Sequence, residues 1–145
     1  MVGCTHMTGE LFASLTRSAT LAGLMAAARE SPSALAAGVD AARTGALSHM
    51  LCGCRARVVV DAMPAHEARS YPSGLLIGAE CHDIRAHNLR HQDKDKSLQQ
   101  VAIIASPALA RDYARVAAMF DAGAATHEPD RVYAAALRRF MTAWR

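Results

Sequence analysis

The amino-acid sequence predicts a mostly helical α/β protein. Hydrophobic residues make up 52% of the chain and charged residues 20%, whereas aromatic residues make up only 5%. With abundant alanine, this composition favours close-packed helices over a β-sandwich. The clearest strand is the apolar, β-branched run VAIIAS at residues 101–106. The length of 145 residues suits one domain with its own core, so we expect a single domain over residues 1–145.

The first sixty residues predict three helices. Thr8 is a good N-cap for a helix whose apolar residues recur at helical spacing from Leu11. Ser33 can cap a second helix, and the turn at 44–45 separates it from a third that continues toward Arg55.

The segment at 70–80 combines a proline with two glycines. Pro72 is costly inside a helix, so a break near Ser70 and a new helix after it are expected. Gly74 and Gly78 lie one turn apart on that helix. Their lack of a side chain would let another backbone or a ligand approach closely.

The C-terminal third predicts a strand, a turn and a helix. Ser106 and Pro107 follow the strand as N-cap and first helical residue. A short second strand is expected within AATHEP at 124–129, before a closing amphipathic helix. The candidate core positions of that last helix are Val132, Leu137 and Met141.

Charge and cysteine usage narrow the possible functions. The net charge of +3 is small and scattered, which disfavours a nucleic-acid partner. No apolar run reaches about eighteen residues and no signal peptide is evident, so we expect a cytoplasmic protein without a membrane partner. The four cysteines form no CxxC pair and are expected to be free thiols. A small Cys/His metal protein, using His82, His87 and His91, is the weakest alternative.

Four segments in order resemble the C-terminal half of the 2-dehydro-3-deoxygalactonokinases. They are MTGELF at 7–12, Cys-Arg at 54–55, SGLLIGAE at 73–80 and IIASPALARDYARV at 103–116. The resemblance covers nearly the whole chain. It implies part of the C-terminal lobe of an actin-like (sugar kinase/ribonuclease H-like) ATPase fold.

The resemblance also implies an activity. Such enzymes phosphorylate 2-dehydro-3-deoxy-D-galactonate at its 6-hydroxyl, with ATP and Mg²⁺, in galactonate degradation. The family's N-terminal lobe opens with an Asp-x-Gly-Thr phosphate loop, which these 145 residues do not contain. The chain is therefore expected to be a truncated kinase, inactive alone, whose partners besides the sugar acid and ATP are an N-terminal lobe or a second copy.

Three residues are candidates for the sugar acid. Thr8 and Glu10 lie at a helix N-terminus, where free N–H groups favour an anion such as a carboxylate. Arg55 could bind that carboxylate through two hydrogen bonds. An ordinary cap for the first two residues, and an ion pair or surface charge for Arg55, are the structural alternatives.

The nucleotide candidates are Ala105, Ser106 and Pro107. They follow a strand at its carboxyl end, where α/β folds bind ligands, although a plain capped helix start explains them as well. In the family that the chain resembles, a glycine is expected at the position of Ala105, and the added methyl group restricts close backbone approach to a nucleotide. No residue is assigned as the catalytic base.

A non-catalytic helical α/β binding or assembly module, a relic of the lobe, is the alternative from a different class. A reading frame upstream of Met1 that encodes Asp-x-Gly-Thr would favour the kinase.

Overall fold

The computed structural model describes residues 7–17, 21–23, 28–90 and 100–144, without the side chains of residues 88–90. The chain divides into two compact units, Met1–Lys96 and Ser97–Arg145. A single domain over residues 1–145 stays a prediction.

Unit 1 is helical throughout its described part. Its helices are α1 (Thr8–Arg17), α2 (Pro32–Ala41), α3 (Leu47–Val59) and α4 (Ser70–Arg90), with short 3-10 turns at Ala42–Thr44 and Ala65–Glu67. Gly45 has a φ of 71°, a left-handed conformation that suits glycine and ends the first of these turns as predicted. Pro72 is the third residue of α4, where a missing N–H breaks no helical hydrogen bond. The new helix expected near Ser70 is confirmed.

Helices α2 and α4 pack backbone against backbone through glycines. A Cβ atom on Gly74 would overlap the carbonyl oxygen of Leu35, and one on Gly78 would lie 2.8 Å from the Cα of Val39. Gly38 of α2 is equally constrained, because its Cβ would overlap the carbonyl oxygen of Tyr71. The close approach predicted at the two glycines of α4 is confirmed, and the neighbour is the backbone of α2.

A network of serines ties together the starts of α2 and α4. The hydroxyl of Ser31 accepts from the Ala34 backbone N–H (3.2 Å) and donates to Oε1 of Glu67 (2.9 Å). The backbone N–H of Ser31 donates to Oγ of Ser70 (2.9 Å). Ser31 is thus the N-cap of α2, and the prediction that Ser33 takes this role is wrong by two residues. Both serines carry a hydroxyl group that could cap a helix, but Ser31 is the one with buried hydrogen-bond partners.

The core of unit 1 lies among these helices. Its cluster of buried residues comprises Leu21, Ala34, Ala42, Cys54, Met63, Ala68, Tyr71 and Leu75. The guanidinium of Arg57 lies 5.1 Å from the centre of the Tyr71 ring, a distance at which a cation and an aromatic face attract.

Unit 2 is a strand–helix–strand–helix segment. Its elements are β1 (Gln100–Ile104), α5 (Pro107–Met119), β2 (Gly123–His127) and α6 (Pro129–Ala143). The strands are parallel, with Gln100 paired to Gly123 and Ile104 paired to His127. The predicted strand, the helix start at Pro107 and the second strand are confirmed.

The two helices of unit 2 differ in burial. In α5, Ala110, Val116 and Ala117 are buried. In α6 no residue is buried, and Leu137 and Met141 are 44% and 68% exposed. Their assignment to the core is therefore wrong, because an amphipathic pattern predicts an apolar face without saying what covers it.

The fold class, mostly helical α/β with a small sheet, is confirmed. Its likeness to an actin-like lobe stays a prediction. None of the described helices is both long and apolar enough to cross a membrane.

Candidate functional site

Thr8 begins α1 and is directly bonded to α4. Its side chain is part of a residue only 9% exposed, and Oγ1 donates a hydrogen bond of 2.9 Å to Oε2 of Glu80. The two residues are 72 positions apart in sequence. Nothing in its local sequence pattern separates Glu80 from a surface carboxylate.

The other two sugar-acid candidates are open to solvent. Glu10 is exposed in the first turn of α1, where a carboxylate is favoured by the helix dipole. Arg55 is exposed on α3, next to the buried Cys54. The structure thus joins Thr8 to Glu80 and leaves the charged groups of Glu10 and Arg55 accessible.

Burial keeps two thiols of unit 1 neutral. Burial raises the pKa of Cys54 to about 11, although nearby Arg57 acts in the opposite direction. Burial, followed by the negative charge of Glu80, raises the pKa of Cys81 to about 11. Because a thiolate is the form that binds metals and attacks electrophiles, neither thiol is activated near pH 7.

The nucleotide candidates form the turn between β1 and α5. Ala105 is half-buried, Ser106 is exposed, and Pro107 is the first residue of the helix. Ser106 occupies the N-cap position, but its side chain makes no capping hydrogen bond. The start of α5 therefore differs from that of α2, where Ser31 satisfies a first-turn amide.

A cavity of about 500 Å³ lies at the corresponding end of β2. Its lining residues are Thr126, His127, Glu128, Arg131, Val132 and Ala135. Since β1 and β2 are parallel, this cavity and the Ser106 turn both belong to the carboxyl edge of the sheet. The sequence did not predict this cavity. The available signal was the polar pair His127-Glu128 within the segment expected to hold the second strand.

No group of three or more His, Cys, Asp or Glu side chains in the described ranges could hold a metal ion. His82 and His87 lie on α4, while His91 falls outside the described residues. Within the described ranges, His82 and His87 therefore belong to no such group.

The sequence model of one protein family, described as 2-keto-3-deoxy-galactonokinase, matches residues 4–140. The chain belongs to this family. The galactonokinase match spans both units and includes every candidate residue above. Membership points to a sugar substrate, ATP and a metal ion in general terms. Comparison with curated proteins and with solved structures gives no significant match.

Proposed function

We propose that this chain serves the ATP-dependent phosphorylation of 2-dehydro-3-deoxy-D-galactonate at its 6-hydroxyl, a step of galactonate degradation. The observation that carries the proposal is the family match over residues 4–140.

The sugar acid would bind to unit 1. Arg55 offers an exposed guanidinium, whose paired N–H groups suit a carboxylate. Glu10 is negative and would repel that carboxylate, so its part is to accept hydrogen bonds from the sugar hydroxyls. Thr8 already donates to Glu80, and this bond would fix the start of α1 against α4 while the substrate binds.

The nucleotide would bind at the start of α5. Helix N-termini attract phosphate because their first N–H groups have no helical partner. The side chain of Ser106 does not occupy these groups and is free to donate to a phosphate oxygen. The methyl group of Ala105 limits how closely the backbone can approach a nucleotide.

Phosphoryl transfer depends mainly on positioning and electrostatics, and Mg²⁺ neutralises charge on the phosphates. The described residues include no group of three or more His, Cys, Asp or Glu side chains that could hold this ion by themselves. The 145 residues also contain neither Asp-x-Gly-Thr nor the G-x-x-x-x-G-K-[ST] loop. We therefore propose that residues outside this chain bind the phosphates. Without those residues the chain is inactive.

The test is ADP formation by the purified chain with ATP, Mg²⁺ and the sugar acid, alone and after addition of a separately expressed N-terminal lobe from a full-length relative. We expect activity only in the mixture. Arg55→Gln should lower that activity, whereas Arg43→Gln, which removes another exposed arginine of unit 1, should not. ADP formation by the chain alone would show that phosphate-binding residues outside the chain are not needed. A stable complex of the two lobes without ADP formation would refute the kinase function.

A further inference from the structure

Helix α6 and its C-cap residue Trp144 present a continuous apolar surface to solvent. Tyr133, Leu137, Phe140, Met141 and Trp144 are 67%, 44%, 62%, 68% and 82% exposed. With 3.6 residues per turn, these positions fall within an arc of about 100° on one side of the helix. These five residues form the α6 stripe. The rings of Phe140 and Trp144 lie 5.9 Å apart and form one aromatic surface.

The stripe points away from the rest of unit 2. Val132, which is half-buried, and Ala135 line the cavity beside β2, together with Thr126 and His127. On the helical wheel, these two α6 residues lie on the side opposite the stripe. The small sheet of unit 2 therefore leaves the largest apolar residues of α6 uncovered.

The size and composition of the stripe match an interface core. Aromatic side chains each carry about 150–250 Å² of surface, and the three in the stripe are more than half exposed. With Leu137 and Met141, the stripe offers several hundred Å², on the order of the 800 Å² that each partner contributes to a standard interface. Arg138 and Arg139 lie to the side of the stripe or behind it, so its centre carries no charge.

We propose that the α6 stripe is the interface with a second copy of this chain, in which the two α6 helices pack antiparallel about a two-fold axis. Such an interface uses the same patch on both subunits. An axis midway between residues 133 and 144 places Tyr133 opposite Trp144 of the partner subunit. It also places Leu137 opposite Phe140 of the partner subunit. Every member of these pairs then faces an apolar group. Antiparallel packing also places the positive end of each helix dipole beside the negative end of the other, which is favourable.

The chain carries its own reporter for this contact, because Trp144 is its single tryptophan. We expect light scattering to give the mass of two chains at high concentration and one chain on dilution. Over the same concentration range, tryptophan emission should move to longer wavelength as Trp144 becomes exposed to water.

Two matched variants test the location of the interface. Phe140→Glu places a charge in the stripe beside the proposed two-fold axis and should give the one-chain mass and long-wavelength emission at every concentration. Met119→Glu makes the same type of change at a residue of α5 that is 47% exposed, and should leave dimerisation unchanged. Circular dichroism should show the same helix content in both variants.

A one-chain mass at all concentrations would overturn the proposal. So would a dimer that survives Phe140→Glu with its helix content intact. A short-wavelength emission that does not change on dilution would also overturn it, because another part of the same chain would then cover Trp144. None of these outcomes depends on kinase activity, so the dimer and the proposed function can fail separately.

Discussion

Helices α4 and α6 use apolar residues in opposite ways. Residues 71–78 of α4 are all buried, whereas α6 has no buried residue. The buried part of α4 contains two glycines, which allow the backbone of α2 to approach closely. Helix α6 instead carries four of the five large, exposed side chains of the α6 stripe. An apolar segment therefore becomes part of a core only where another surface packs against it. In such a contact small residues can contribute as much to the packing as large ones.

The largest expected effect is at the glycine contact. Gly74→Ala would place a methyl group on the carbonyl oxygen of Leu35, a backbone atom that cannot swing away. Overpacking of this kind costs about 1–3 kcal/mol or more, and we expect a loss of at least about 3 kcal/mol in urea unfolding followed by circular dichroism. Gly53→Ala is the control, because a Cβ there meets nothing within 4 Å. It should stabilise α3 by up to about 1 kcal/mol. A neutral Gly74→Ala would contradict the close packing of α2 and α4.

Two leucine truncations compare the helices directly. Leu75 is fully buried in α4, so Leu75→Ala should lower the unfolding free energy by about 2–5 kcal/mol. Leu137→Ala removes the same atoms from the α6 stripe. At protein concentrations low enough to keep the chain monomeric, it should change stability by less than about 0.5 kcal/mol. Equal losses in thermal or urea unfolding would mean that α6 is also packed within the monomer.

Two helix starts should respond differently to loss of a hydroxyl. Ser31→Ala removes a cap that bonds both Ala34 and Glu67, and should cost about 1–2 kcal/mol. Ser106→Ala removes a side chain without a capping bond, and should cost a few tenths of a kcal/mol at most. Urea titrations of the two variants measure the difference. A larger loss for Ser106→Ala would show that the start of α5 depends on its hydroxyl.

The smallest effect on stability near neutral pH concerns thiol chemistry in unit 1. With pKa values raised to about 11, Cys54 and Cys81 remain protonated at pH 8 and should react with iodoacetamide more slowly than the exposed Cys52. Because burial disfavours the thiolate, the folded state should lose stability relative to the unfolded state as the pH rises from the ordinary thiol pKa of 9.0 to about 11. Mass mapping of alkylated peptides gives the order of reaction, and equal rates at the three sites would contradict the burial.

Local features of the fold were predictable from sequence. The β-branched run before Ser106-Pro107 defined β1 and the start of α5, and Pro72 located the start of α4, because both depend on backbone chemistry within a few residues. The paired glycines predicted close packing but not its partner, since the contact with α2 joins distant parts of the chain.

Long-range partners could not be derived from the sequence. The bond from Thr8 to Glu80 spans 72 positions, and the choice of Ser31 over Ser33 depends on Glu67 and Ser70. The error at Leu137 and Met141 has a related cause, because their spacing correctly predicts an apolar face but cannot show that unit 2 leaves it uncovered.

Binding of the sugar acid tests the proposed role of this chain most directly, because Thr8, Glu10 and Arg55 all belong to unit 1 and need no phosphate loop. Titration calorimetry of the purified chain with 2-dehydro-3-deoxy-D-galactonate should show saturable binding that Arg55→Gln weakens at least about tenfold, the equivalent of 1.4 kcal/mol. Arg43→Gln should bind like the unmodified chain. A folded chain that binds no sugar acid, or that binds it equally well after Arg55→Gln, would contradict the account.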